Sequence, residues 1–149
     1  MATLSREERK EKALRVLARL EEIRQAGAGS ISAAEVFEMV GAPSDPAVHS
    51  RLEGRGPLDI RFESDGSGQF SNHGPAFSLP IGPAKLNVPP ELGGTIRLDQ
   101  NGAVFGFDPQ RTLVARALLL ELKLQRIEIS DHHIALRLPG GMFDQEYHF

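Results

Sequence analysis

Asp131, His132 and His133 stand consecutively near the end of the chain, and Glu146 and His148 follow close to its last residue. Imidazole and carboxylate groups are good ligands for zinc and other borderline metals. His132, His133 and His148 are therefore the candidate metal ligands, and a metal-dependent enzyme with a site at 131–148 is one reading of the chain. Adjacent residues of a strand point to opposite faces. His132 and His133 can share an ion only if a turn twists them together, and turns accept polar residues freely. A polar hairpin tip accounts for the same residues without any metal.

Other reactive constellations are thin. The chain has no cysteine, which removes disulfides, thiolate metal sites and cysteine nucleophiles. Gly-x-Gly occurs at 27–29 and 66–68, and Gly93-Gly94 precedes a strand pattern. None has the strand–GxGxxG–helix setting of a dinucleotide site, and no GxxxxGK[ST] occurs. No G-x-S-x-G elbow presents a serine. Asp59 and Glu63 alternate with apolar residues, where solvated charge is the ordinary state. The residues point away from catalysis, and no cofactor is expected.

Arg51 and Arg55, followed by Asp65-Gly-Ser67, resemble in part the RxxxR and [DN]xSxxG pattern of the cyclic-dinucleotide-binding PilZ domains. Phe70 stands where that pattern has its last glycine, and the chain is not assigned to the family.

The elements that must position these residues fall into two textures. Residues 5–26 read as a helix with Ser5 and Glu8 as a capping box. Its apolar stripe is Ala13, Val16, Leu17, Leu20 and Ile23. A second helix is expected at 33–40, with Ser32 and Glu35 as the box and Gly41 at its end. A third is expected at 46–53, opened by Asp45-Pro46. From Pro57 the period changes to two. Leu58, Ile60 and Phe62 predict a half-buried strand, Asp65–Gly68 a turn, and Gln69–Ser71 a returning strand. The proline-rich stretch 74–94 excludes helix and limits strands to short or edge positions. Phe77, Leu79, Ile81, Leu86 and Val88 still give it apolar anchors.

Asn101-Gly102 predicts a two-residue hairpin turn. It would pair Leu98 with Phe105 and Ile96 with Phe107, all on one face. A turn at Asp131-His132 pairs Ile129 with Ile134 and Ile127 with Leu136. Between these hairpins, Leu118, Leu120, Leu122 and Leu124 alternate with polar residues apart from Leu119. The segment 111–125 could be a helix capped by Asp108-Pro109, but the period of two favours a long strand, with a bulge near Gln125-Arg126 to keep Leu124 and Ile127 on the same face.

With 149 residues, 40% hydrophobic and 25% charged, the chain has the size and composition of one soluble domain. Its net charge is −3, and residues 1–56 carry 9 basic and 9 acidic side chains. That balance argues against nucleic acid or an anionic membrane as a general partner. The charged N-terminus lacks an apolar signal region, and no run reaches the roughly 18 apolar residues that span a bilayer. A cytoplasmic protein without a membrane span is expected.

The expected fold is α+β, with about three N-terminal helices over residues 1–56. A mainly antiparallel sheet of five to seven strands follows over 57–149, in a single domain. Three short helices would leave part of the sheet's apolar face uncovered. The first functional expectation is therefore a non-catalytic binding module. It would hold a hydrophobic small molecule, an apolar protein partner or a second copy through Leu118, Leu120, Leu122, Phe77 and Ile81. The alternative is a winged-helix DNA-binding protein over residues 30–72. Its recognition helix would present His49, Ser50 and Arg51.

Overall fold

The structure is a computed structural model that describes residues 5–32, 57–73, 76–81, 84–117, 120–141 and 144–149. Helix α1 spans Arg6–Ala26. The Ser5 side chain accepts the Glu8 N–H at 3.1 Å, as the capping box requires. Gly27 ends the helix with φ 90°, a conformation that costs glycine little.

The chain then enters a strand, β1 (Ala28–Ser32), which pairs antiparallel with β2 (Pro57–Phe62). This corrects the expected trio of N-terminal helices: among the described residues, α1 is the one helix, and the fold is mostly sheet. The candidates at 33–40 and 46–53 lie outside the described residues, and Ser32 is the last residue of β1. Strand β3 (Ser67–His73) returns beside β2, but the pair is not a two-stranded wing. It sits inside an eight-stranded sheet, and the expected recognition helix at 46–53 lies outside the described residues.

That sheet is antiparallel, in the order β1-β2-β3-β6-β7-β10-β11-β12. Its later strands are β6 (Glu91–Asp99), β7 (Gly102–Phe107), β10 (Arg126–Ile129), β11 (His133–Arg137) and β12 (Gln145–His148). Two excursions leave it. One is the hairpin β4 (Phe77–Ile81) and β5 (Ala84–Val88). The other is β8 (Val114–Ala117) and β9 (Leu120–Lys123). Both depart from the same end of the large sheet, because His73 pairs with Glu91 and Gly106 with Arg126. They meet by pairing β5 with β8 and form a second sheet, β4-β5-β8-β9. The expected five to seven strands are thus twelve among the described residues.

Residues 111–125 are accordingly not one long strand. The chain reverses between Ala117 and Leu120, which pair. It crosses to the large sheet at Leu124-Gln125, so leaving the strand takes the place of the expected bulge. Leu124 and Ile127 are both buried.

The core lies between α1 and one face of the large sheet. Ala13, Val16, Leu20 and Ile23 of the helix are buried against the alternating residues Leu58, Ile60, Phe70, Ile96, Phe105, Ile127, Ile129 and Ile134. Each fully buried Val, Leu, Ile or Phe contributes about 1.5–3 kcal/mol. Phe70 meets Phe105 and Phe107 edge-on at 5.4 and 5.2 Å, the arrangement aromatic quadrupoles favour. Among the described residues, α1 is the helix that packs on this face. No helix among the described residues is long and apolar enough to cross a membrane.

The β10–β11 register is the one the sequence predicts, with Ile127 opposite Leu136 and Ile129 opposite Ile134. The β6–β7 hairpin differs by two residues. Ile96 pairs with Phe105 and Leu98 with Ala103, so the turn holds Gln100-Asn101 rather than Asn101-Gly102. The Asp99 carboxylate accepts the Asn101 N–H at 2.8 Å and fixes this turn. A slip of two residues preserves the faces, and Leu98 and Phe107 remain buried.

Candidate functional site

The four-stranded sheet has two unlike faces. One register row holds Ser78, Asn87, Val114 and Lys123, and the next holds Pro80, Lys85, Arg116 and Glu121. This face is mostly polar. Ser78 Oγ lies 2.7 Å from Asn87 Oδ1, and Arg116 bridges Glu121 at 3.0 Å across β8 and β9.

The alternate positions are all apolar. Leu79, Leu86, Ala115 and Leu122 form one row. Phe77 pairs with Val88, Ile81 with Ala84, and Ala117 with Leu120, on the same parity. Period-two alternation puts these residues on one face. Val88 is buried where the sheet joins the main core, Leu122 is half-buried, and Leu120 is 44% exposed. Leu120 lies on β9, an edge strand of the sheet. The chain thus brings Leu120, Leu122, Phe77 and Ile81 to one face although they come from two separate hairpins. Leu118 lies outside the described residues, as do His49, Ser50 and Arg51. Ile127, Ile129, Ile134 and Leu136 belong to the core of the large sheet instead.

Comparison with known protein families, curated proteins and solved structures finds no match.

The histidines occupy the other end of the large sheet. His133 pairs with His148 across β11 and β12, and their rings stack 5.8 Å apart. His132 Nδ1 lies 3.0 Å from the Asp131 carboxylate. The bond from His132 holds the Asp131 carboxyl below its usual range. Among the described residues, no three His, Asp or Glu side chains converge as a metal site.

One arrangement here escaped the sequence. Ser130 Oγ is 2.8 Å from His133 Nδ1, and His133 Nε2 is 3.9 Å from Glu128. These groups have the order of a serine–histidine–carboxylate relay. Ser130, however, is buried, and its Oγ accepts the N–H groups of His133 and His132 at 3.1 and 3.3 Å. A nucleophile needs an accessible oxygen with donors aimed at the developing oxyanion. This oxygen is engaged in bracing the Asp131-His132 turn. The only sequence signal was the serine placed one residue before that turn.

Beside it, Arg137 donates to Glu128 at 3.3 Å, to Asp144 at 3.4 Å and to Glu146 at 2.6 Å. The bond from Arg137 holds the Glu146 carboxyl below its usual range, and the bonds to Glu128 raise the guanidinium above its own. The cluster ties β10, β11, β12 and the 138–144 connection together.

Proposed function

We propose that this protein is a non-catalytic binding module that receives an apolar group on the apolar face of its four-stranded sheet. The group is an apolar segment of a protein partner or a hydrophobic small molecule. One observation carries the reading: strand positions from two distant hairpins that the sequence fills with apolar residues are brought into one register, running from buried Val88 to exposed Leu120. A sheet face of this composition is ordinarily covered.

Size narrows the occupant. Four strands about 4.8 Å apart, four or five residues long at about 3.4 Å per residue, make a face of roughly 19 by 14–17 Å. That is about a third of the ~800 Å² per partner of a standard protein interface. The face alone suits a short helix, an extended peptide or a small ligand. A second copy would need contacts beyond it.

Native mass spectrometry of the purified protein tests the reading, because it reports a retained ligand or partner chain directly. Binding of a hydrophobic fluorescent dye such as ANS tests the face when nothing is retained. Leu120→Glu and Leu122→Glu should abolish either signal while the circular dichroism spectrum stays that of the folded protein. A bare monomer that leaves the dye unbound would sink the proposal.

A further inference from the structure

The outer face of the large sheet, opposite α1, carries polar side chains on both halves, and the two halves satisfy their charges differently. Over β10–β12, Arg137 is surrounded by Glu128, Asp144 and Glu146. Over β2–β3, the side chains of Asp59, Arg61, Gln69 and Ser71 make no hydrogen bond or ion pair with a described residue. These four line a trough of about 610 Å³ that crosses β1, β2, β3 and β6. Its size falls in the range of small-ligand sites, about 300–1,000 Å³.

The register explains the trough. Arg61 pairs with Gln69 and forms one wall; Asp59 pairs with Ser71, and Ser71 with Gly93, to form the other. Between them runs the row Gly29, Ile60, Phe70 and Gly94, whose outward side is bare backbone. Gly93 leaves its wall open for a side chain from elsewhere. A Cβ there would lie 3.2 Å from Cζ and Nη1 of Arg111, so that guanidinium rests in the place of the missing side chain. Arg111 is held there. Its carbonyl accepts the Gly93 N–H, its own N–H bonds to Asp108 O, and Asp108 N–H bonds to Gly93 O, at 3.1, 2.9 and 3.0 Å. Its Nε bonds to the Asp108 carboxylate at 3.3 Å, which leaves the Nη groups for the trough.

Arg61 and Gly93 stand diagonally across the trough, roughly 12 Å apart by strand spacing and rise. Two arginine side chains reaching inward from those positions can meet on one anion, and guanidinium groups match carboxylate and phosphate oxygens in pairs. Asp59 adds a carboxylate acceptor on the second wall. We propose that this trough binds a small hydroxylated anion. Its phosphate or carboxylate is held between Arg61 and Arg111, and one of its hydroxyls donates to Asp59. The site is on a different sheet from the apolar face and does not depend on it.

Titration calorimetry with glucose 6-phosphate, gluconate, inorganic phosphate and glucose tests the assignment. At least one of the two hydroxylated anions should bind more tightly than inorganic phosphate, and neutral glucose should not bind. The stronger of the two anions identifies the head group. Arg61→Ala should weaken binding by about 10- to 100-fold, the scale of a lost charge-assisted hydrogen bond. Arg61→Gln is the second variant, because it keeps the stem of an exposed residue. Asp59→Asn should erase the preference over inorganic phosphate and leave phosphate binding in place. Failure of both anions to bind at millimolar concentration, or unchanged affinity in folded Arg61→Ala or Arg61→Gln protein, overturns the site. An unchanged preference in Asp59→Asn removes Asp59 from it.

Discussion

The guanidinium carbon of Arg9 lies 3.7 Å from the centre of the Tyr147 ring, so the first turn of α1 is pinned to the last strand of the sheet. Arg9 is buried, and its Nε has no hydrogen-bond partner. The ring face partly replaces the missing acceptor. A desolvated cation over an aromatic ring contributes up to about 2 kcal/mol. A double-mutant cycle of Arg9→Met and Tyr147→Leu in urea should return a coupling of about 1–2 kcal/mol. Additive single effects would show that the contact is packing alone.

Gly102 should tolerate no side chain. Its φ is 124°, and a Cβ would fall 2.1 Å from the Ile129 carbonyl oxygen on the neighbouring strand β10. Gly102→Ala should therefore cost more than the roughly 1–3 kcal/mol of backbone strain alone. Gly140 is the internal control, since its φ is 79° and a Cβ there meets nothing within 4 Å. Gly140→Ala should cost only about 1 kcal/mol. Equal losses of melting temperature in the two variants would contradict the close approach.

Acid should act through the Arg137 cluster. The Glu146 carboxyl sits below its ordinary value of 4.5 because of its bond to Arg137. A carboxylate with a lowered folded pKa stabilises the protein above its ordinary value and loses that contribution as pH falls through the lowered one. Stability should therefore decline as the pH drops below about 4.5. Arg137→Gln should start less stable at neutral pH and decline less steeply over the same window. Tyr147 is the only tyrosine and the chain has no tryptophan, so intrinsic fluorescence reports on β12 directly. Identical pH slopes for the two proteins would refute the linkage.

Carboxylates introduced at two leucine or isoleucine positions should separate core from surface. Ile129 is 1% exposed, and Ile129→Glu should unfold the protein because an unpaired buried carboxylate is costly. Leu120, at 44% exposure, should accept the same change with the fold intact. Far-UV circular dichroism checks both. An unfolded Leu120→Glu protein would return β9 to ordinary packing.

Local chemistry was legible in the sequence. The Ser5 cap, the α1 stripe, the β2 alternation and the β10–β11 turn all depend on residues a few positions apart. The hydrophobic faces survive even where pairing differs. Ile96, Leu98, Phe105 and Phe107 stay on one face whether the turn holds Asn101-Gly102 or Gln100-Asn101, because strand parity is unchanged by a shift of two. Alternation records the face of a strand, however, and not its partner or the point where it folds back. Leu118 through Leu124 keep a period of two that a hairpin obeys as well as a long strand does. The pairing of β5 with β8 joins segments far apart in the chain, and so does the seating of Arg111 over Gly93. Contacts of that kind depend on the large sheet bringing the ends of both excursions together. For that reason the tertiary structure alone decided the apolar face of the small sheet and the trough on the large one.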